Sequence, residues 1–134
     1  MCNAQGPCKA GFKERETLPR KCPPSDVNST DGESYYRMIF PDGPTDRDYD
    51  VDLGLDSKRY IPPSDECASR AISLYVALRG VRRALKLPRH KTKVAASVTL
   101  RAGAGVLGSI GKHGHVSWWR CAAFDPVQHT VKVA

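Results

Sequence analysis

Three residues in the second half of the chain could act together as a nucleophilic site: Cys67, His115 and Asp125. Cys67 falls where a helix is expected to begin, and the positive end of a helix lowers a thiol pKa. His115 opens the apolar run Val116-Ser117-Trp118-Trp119, and Asp125 follows Phe124. In such a scheme Cys67 attacks a carbonyl, His115 takes the proton and Asp125 orients the imidazole, in the order found in papain- and transglutaminase-like enzymes. Against it, no second helix of substance is visible, and the chain lacks the small residue that normally lets substrate approach the thiol. His113-Gly114-His115 offers two imidazoles but no third metal ligand at a recognisable spacing, and His90 and His129 have no companions. Gly103-Ala104-Gly105 and Gly108-Ser109-Ile110-Gly111-Lys112 hint at a phosphate loop, yet the strand–GxxxxGK[ST]–helix pattern is missing. No cofactor or metal is expected from these motifs.

A second constellation is electrostatic. Arg79, Arg82, Arg83 and Lys86 recur at spacings of three and four, which places them on one face if a helix runs through them. Arg89, His90, Lys91 and Lys93 follow, and Arg101 closes the next apolar stretch. Charge is divided unevenly along the chain. Residues 1–66 hold nine Lys/Arg and thirteen Asp/Glu, whereas residues 67–134 hold twelve Lys/Arg and one acid, Asp125. A face made only for solvation usually alternates signs. This asymmetry points to a polyanion, because every phosphate neutralised by Lys or Arg releases a condensed counterion. Structured RNA is the first candidate, with Tyr35, Tyr36 or Tyr60 available to stack on unpaired bases.

These groups must be positioned by a modest scaffold. The 134 residues suit one domain, and an apolar fraction of 40% supports a core. Residues 1–33 are polar and proline-interrupted and are expected to form a flexible arm, with the single domain over 34–134. The run from Tyr35 to Phe40 reads as a strand stopped by Pro41-Asp42-Gly43-Pro44. Asp46 to Asp52 reads as a solvated acidic loop. Pro62-Pro63-Ser64-Asp65 then signals a helix start, and Ala71, Leu74 and Leu78 with Ile72 and Tyr75 extend the helix from Glu66 to Arg79, with Gly80 as its stop. Val81 to Leu87 is either two further helical turns or a short strand. Lys93 to Arg101 alternates as a half-buried strand, Ala102 to Gly105 is a turn, and short apolar pieces follow up to Val127–Val133. The expected class is α+β: a small antiparallel sheet of three or more strands, one main helix and a possible short second helix on one face.

No stretch of about 18 apolar residues exists to span a bilayer. The N-terminus lacks the apolar segment of a signal peptide, so an intracellular place is expected. The five cysteines, Cys2, Cys8, Cys22, Cys67 and Cys121, are odd in number, scattered and without a CxxC pair. They read as reduced thiols of a cytosolic or nuclear protein.

In this order of residues the chain resembles the nineteen-kilodalton RNA-binding subunit of the signal recognition particle. The matching pieces are Met38-Ile39-Phe40-Pro41, Lys58-Arg59-Tyr60-Ile61-Pro62 with Ser64 and Cys67, Ala71-Ile72 through Ala77-Leu78-Arg79-Gly80, and Pro88-Arg89 ahead of Val94 to Arg101. They cover residues 35–107. The acidic loop between Pro41 and Lys58 is longer than that family's, Lys58 stands where Arg is usual, and no lysine-rich tail follows. The resemblance implies a three-stranded antiparallel sheet with two helices on one side, which clamps RNA hairpin tips within a cytoplasmic ribonucleoprotein assembled by way of the nucleus or nucleolus. It also implies Lys58, Arg59, Arg89 and Arg101 as RNA contacts; charge alone adds Arg79, Arg82, Arg83, Lys86, Lys91 and Lys93. Other protein subunits of that complex would be further partners. An alternative reading is a small protein-binding inhibitor or accessory protein of a nucleic-acid-handling complex, marked by an ordered acidic loop at Asp46–Asp56. The cysteine enzyme is the second alternative.

Overall fold

The computed structural model describes residues 8, 10–13, 18–51 and 66–133. Its class is α+β, with seven antiparallel strands and two helices among the described residues: β1 (Asn28–Ser29), β2 (Glu33–Ile39), α1 (Glu66–Ser69), β3 (Ile72–Tyr75), α2 (Leu78–Leu85), β4 (Val94–Leu100), β5 (Gly105–Leu107), β6 (His115–Arg120) and β7 (Thr130–Lys132). The sheet is larger than the three strands that the resemblance implies. Strand order is β1-β5-β6-β3-β2-β4-β7.

The pairings return on themselves. β2 lies along β4 from Glu33↔Leu100 to Ile39↔Val94. Past a bend, the same two chain segments continue as β1 and β5, paired Asn28↔Leu107 and Ser29↔Val106. β6 joins β5 to β3, and β3 meets β2 again at Tyr36↔Tyr75. Thr30 fixes the bend. Its buried hydroxyl donates to Arg101 O at 2.7 Å and accepts from Ala104 N–H at 3.2 Å, so two backbone groups at the corner are satisfied by one side chain.

The inner side of this closed sheet is filled by Ile72, Leu74, Val98, Leu100, Val116 and Trp118. The alternation expected for residues 94–100 holds, with Ala96, Val98 and Leu100 fully buried. Trp118 lies at the centre with its indole N–H donating to Ala104 O at 3.2 Å, and Tyr49 and Phe124 meet its ring edge-on. Trp119 points the other way into a smaller cluster with Ala71 and Val106, against which Phe12, Leu18, Val27 and the Cys22 and Cys67 side chains pack.

Several expectations are corrected. The helix from Glu66 to Arg79 is absent: α1 is one turn, and Ile72 to Tyr75 is a strand. Ile72-Ser73-Leu74-Tyr75 also alternates at period two, and burying Ile72 and Leu74 inside the sheet outweighs the helical spacing. Gly80 does not stop a helix but lies inside α2. The stretch Asp46–Val51 is not a solvated loop. Asp48 is buried and accepts from the backbone N–H groups of Phe40 and Thr45, both at 2.9 Å, while Tyr49 and Val51 enter the core.

The four cysteines among the described residues are not reduced. Cys8 is bridged to Cys121 and Cys22 to Cys67. Within the stretch expected to be a free arm, Cys8 and Cys22 are therefore covalently tied to the sheet side, Phe12 forms a β-bridge with Cys121, and β1 is part of the sheet. No helix among the described residues is long and apolar enough to cross a membrane.

Candidate nucleic-acid interface

α2 rests on its sheet through three small or branched residues, Gly80, Val81 and Ala84, which are buried. Its other side carries Arg79, Arg82, Arg83 and Lys86, all exposed. These four positions follow the i, i+3, i+4, i+7 stripe that the sequence suggests. Among the described residues none of the four forms an ion pair. The stripe continues past Lys86 into a 3-10 turn, Pro88–His90, where Arg89 and Lys91 are exposed. Arg89 Nε donates to His90 Nε2 at 3.2 Å. Lys93 is partly covered, its ammonium 5.0 Å from the centre of the Phe40 ring.

Not every expected residue joins this surface. Arg101 is exposed but follows the far end of β4. At about 3.4 Å per residue, the strand separates it from Lys93 by more than 20 Å. Lys58, Arg59 and Tyr60 lie outside the described residues. Tyr35 and Tyr36 are half-buried in β2, unlike the exposed Arg79 and Arg82.

Two residues that the charge pattern passed over do join it. Lys112 and His113 stand on the turn before β6, which sits against the start of α2. Val76 N–H donates to Gly114 O at 2.9 Å, holding turn and helix together. Gly80 and Gly114 make this approach possible. A Cβ on Gly80 would meet His113 O at 2.9 Å and the Tyr75 ring at 2.6 Å, and Gly114 has φ +76° with Val76 Cγ2 3.0 Å from where its Cβ would be. Between them lies an open cavity of about 480 Å³ whose polar lining includes Arg79, Arg83 and His113. Desolvation, then the charges of Arg83 and Lys112, lower the pKa of His113 below the usual imidazole range. Sequence separation hides this grouping: residue 113 reaches residue 83 only because β3 and β6 pair. The signal available was the basic Lys112-His113 pair flanked by glycines.

The nucleophilic constellation does not assemble. Cys67 Sγ is held in the bridge to Cys22, so it has no thiolate to offer. Asp125 caps the following 3-10 turn, accepting from Val127 N–H at 3.0 Å and from Gln128 Nε2 at 3.0 Å. His115 instead meets Ser73 Oγ through Nε2 at 3.0 Å and lies edge-on to Tyr75. Burial lowers the His115 pKa. The fold therefore holds this imidazole neutral, and the associated stability is full above the unfolded value of about 6.5 and is lost as pH falls through the window below it. In urea titrations between about pH 7 and 5, the H115N variant is expected to lose less stability on acidification than the parent; parallel losses would contradict this.

In the described part of the acidic stretch, up to Val51, the Asp48 carboxylate is turned inward to its own backbone rather than outward to a partner. Among the described residues no cluster of three His, Cys, Asp or Glu could hold a metal ion. Set against known protein families, curated proteins and solved structures, the chain matches none.

Proposed function

We propose that this chain binds a nucleic acid, with structured RNA as the ligand, through the exposed stripe of α2 and the turn that follows it. The observation that carries this reading is the run Arg79, Arg82, Arg83, Lys86, Arg89 and Lys91, all exposed and free of ion pairs among the described residues, apart from the contact of Arg89 with His90. Arginine suits the task because its planar fork bonds two phosphate oxygens at once and stacks on unpaired bases. A helix standing proud of its sheet can follow an RNA backbone by shape, which is how most double-stranded RNA is recognised.

The narrower reading is a subunit that clamps signal recognition particle RNA beside other proteins. It draws on the resemblance over residues 35–107, of which Lys58 and Arg59 lie outside the described residues. Two bridges linking distant segments suit an oxidising compartment, so the wider reading extends to RNA met outside the reducing cytosol.

A filter-binding titration against a structured RNA decides the matter. With about six phosphates neutralised, the log–log slope of affinity against salt is expected near −5, and R82A/R83A is expected to reduce its magnitude by about two. A slope near zero, or an unchanged slope in the double variant, overturns the assignment.

A further inference from the structure

The cavity between α2 and the 112–114 turn differs in kind from the open stripe beside it. Its volume of about 480 Å³ lies inside the range of about 300–1,000 Å³ typical of small-molecule sites. Its lining contains two guanidinium groups, Arg79 and Arg83, and the His113 imidazole, with no carboxylate. These groups come from two separate segments of the chain, and the Val76–Gly114 hydrogen bond locks the segments together. Both segments approach at glycines whose side-chain space is already taken, at Gly80 by Tyr75 and the backbone of His113 and at Gly114 by Val76. The spacing of the backbone segments that carry these groups is thus set by packing and does not depend on a ligand to draw them together. With the backbone already placed, only these three exposed side chains remain to be ordered around a compact, multiply charged anion.

We propose that this cavity is a binding site for a phosphomonoester group, held by Arg79, Arg83 and His113. The site is separate from the polymer-binding stripe in what it recognises: a terminal phosphate with two ionisable oxygens, in place of the singly charged diesters along a backbone. Arg79 and Arg83 supply two fixed positive charges and paired N–H donors. His113 adds a third contact, and the arriving dianion favours its protonated form. Either of two sources can present this chemistry, the 5′-phosphate of an RNA strand or a free phosphate ester such as a nucleotide.

The test uses the full, oxidised chain titrated with inorganic phosphate at constant ionic strength made up with chloride, followed by amide and imidazole NMR signals. Saturable shifts at Gly80, His113 and Gly114, with a rise in the His113 pKa, are expected. R79A/R83A should weaken the affinity by at least about tenfold, since each removes a charge-assisted hydrogen bond. R82A/K86A removes the same charge outside the cavity and should change it less than about twofold. Absence of saturation, or equal loss in the two double variants, overturns the proposal. A 5′-phosphorylated RNA that binds tighter than its 5′-hydroxyl twin assigns the source to a strand end; equal binding alongside saturable phosphate assigns it to a free ester. RNA that fails to bind while phosphate saturates overturns the polymer reading and leaves the cavity assignment standing.

Discussion

Replacing Cys8 and Cys121 by serine is expected to lower the stability of the fold by about 5 kcal/mol, and replacing Cys22 and Cys67 by about 4 kcal/mol. These figures follow from the chain closed by each bridge, with sequence separations of 113 and 45 residues. In the chain-entropy account, each cross-link removes conformations from the unfolded ensemble in proportion to the logarithm of its loop. The two effects are not additive, because the shorter loop lies within the longer one. A fold of this size has about 5–15 kcal/mol in all, so the C8S/C121S variant is expected to unfold at very low urea or to be partly unfolded without it. Location sharpens the effect. Cys22 and Cys67 join the Trp119 cluster, and Trp119 Nε1 donates to Cys67 O at 3.1 Å, so loss of this bridge also loosens packing on the outer face of β6. Urea midpoints of both variants, with and without reductant, measure the cost. Iodoacetamide in denaturant without reductant should label none of Cys8, Cys22, Cys67 and Cys121. Full labelling, or unchanged midpoints, would contradict the pairing.

The second large effect is expected at Trp118. It is fully buried, and removing its side chain empties the space between Tyr49 and Phe124. Trp→Ala at such a position costs about 3–5 kcal/mol, and the Ala104 carbonyl loses its indole donor as well. W118F retains most of the apolar volume but not the N–H, and so should fall between parent and W118A. Urea melts of the three proteins give the order directly. R82A, on the exposed stripe, is expected to melt within about 0.5 kcal/mol of the parent. If W118A matched R82A, the central place of Trp118 would be wrong.

The parts of this fold that were legible in the sequence are those written in short-range pattern. Ala96, Val98 and Leu100 alternate with Ser97 and Thr99, Tyr35 to Ile39 opens on two aromatics and ends on a branched residue, and the Arg79–Lys86 spacing holds whether or not its neighbours are known. The helix expected through Ala71 and Leu78 failed because Ile72 and Leu74 fit both periods. The choice was made by Val116 and Trp118, which lie more than forty residues on and supply the other wall of the core. Asp48 read as a solvated acid because its exposed neighbours Asp46 and Asp50 hid the local Thr45-x-x-Asp48 capping pattern, and because the N–H of Phe40 reaches it only across the intervening turn. Cysteine pairing is non-local by nature, and an odd count spread over the chain gave no spacing to read. His113 and Lys112 belong to the candidate interface only through strand pairing, so spacing along the chain could not bring them beside Arg83.

The return of the strand pairings on themselves has a consequence for how the protein behaves at high concentration. An open sheet of this many strands would offer long unpaired margins on which another copy could add a strand. Here the bend at Thr30 carries one ladder round the corner, so that among the described residues the terminal strands are β1, of two residues, and β7, of three. β7 also carries Lys132, whose ammonium donates to Pro41 O. A charged, three-residue margin is a poor template for a growing aggregate, and the exposed Val131 has too little strand around it to act as one.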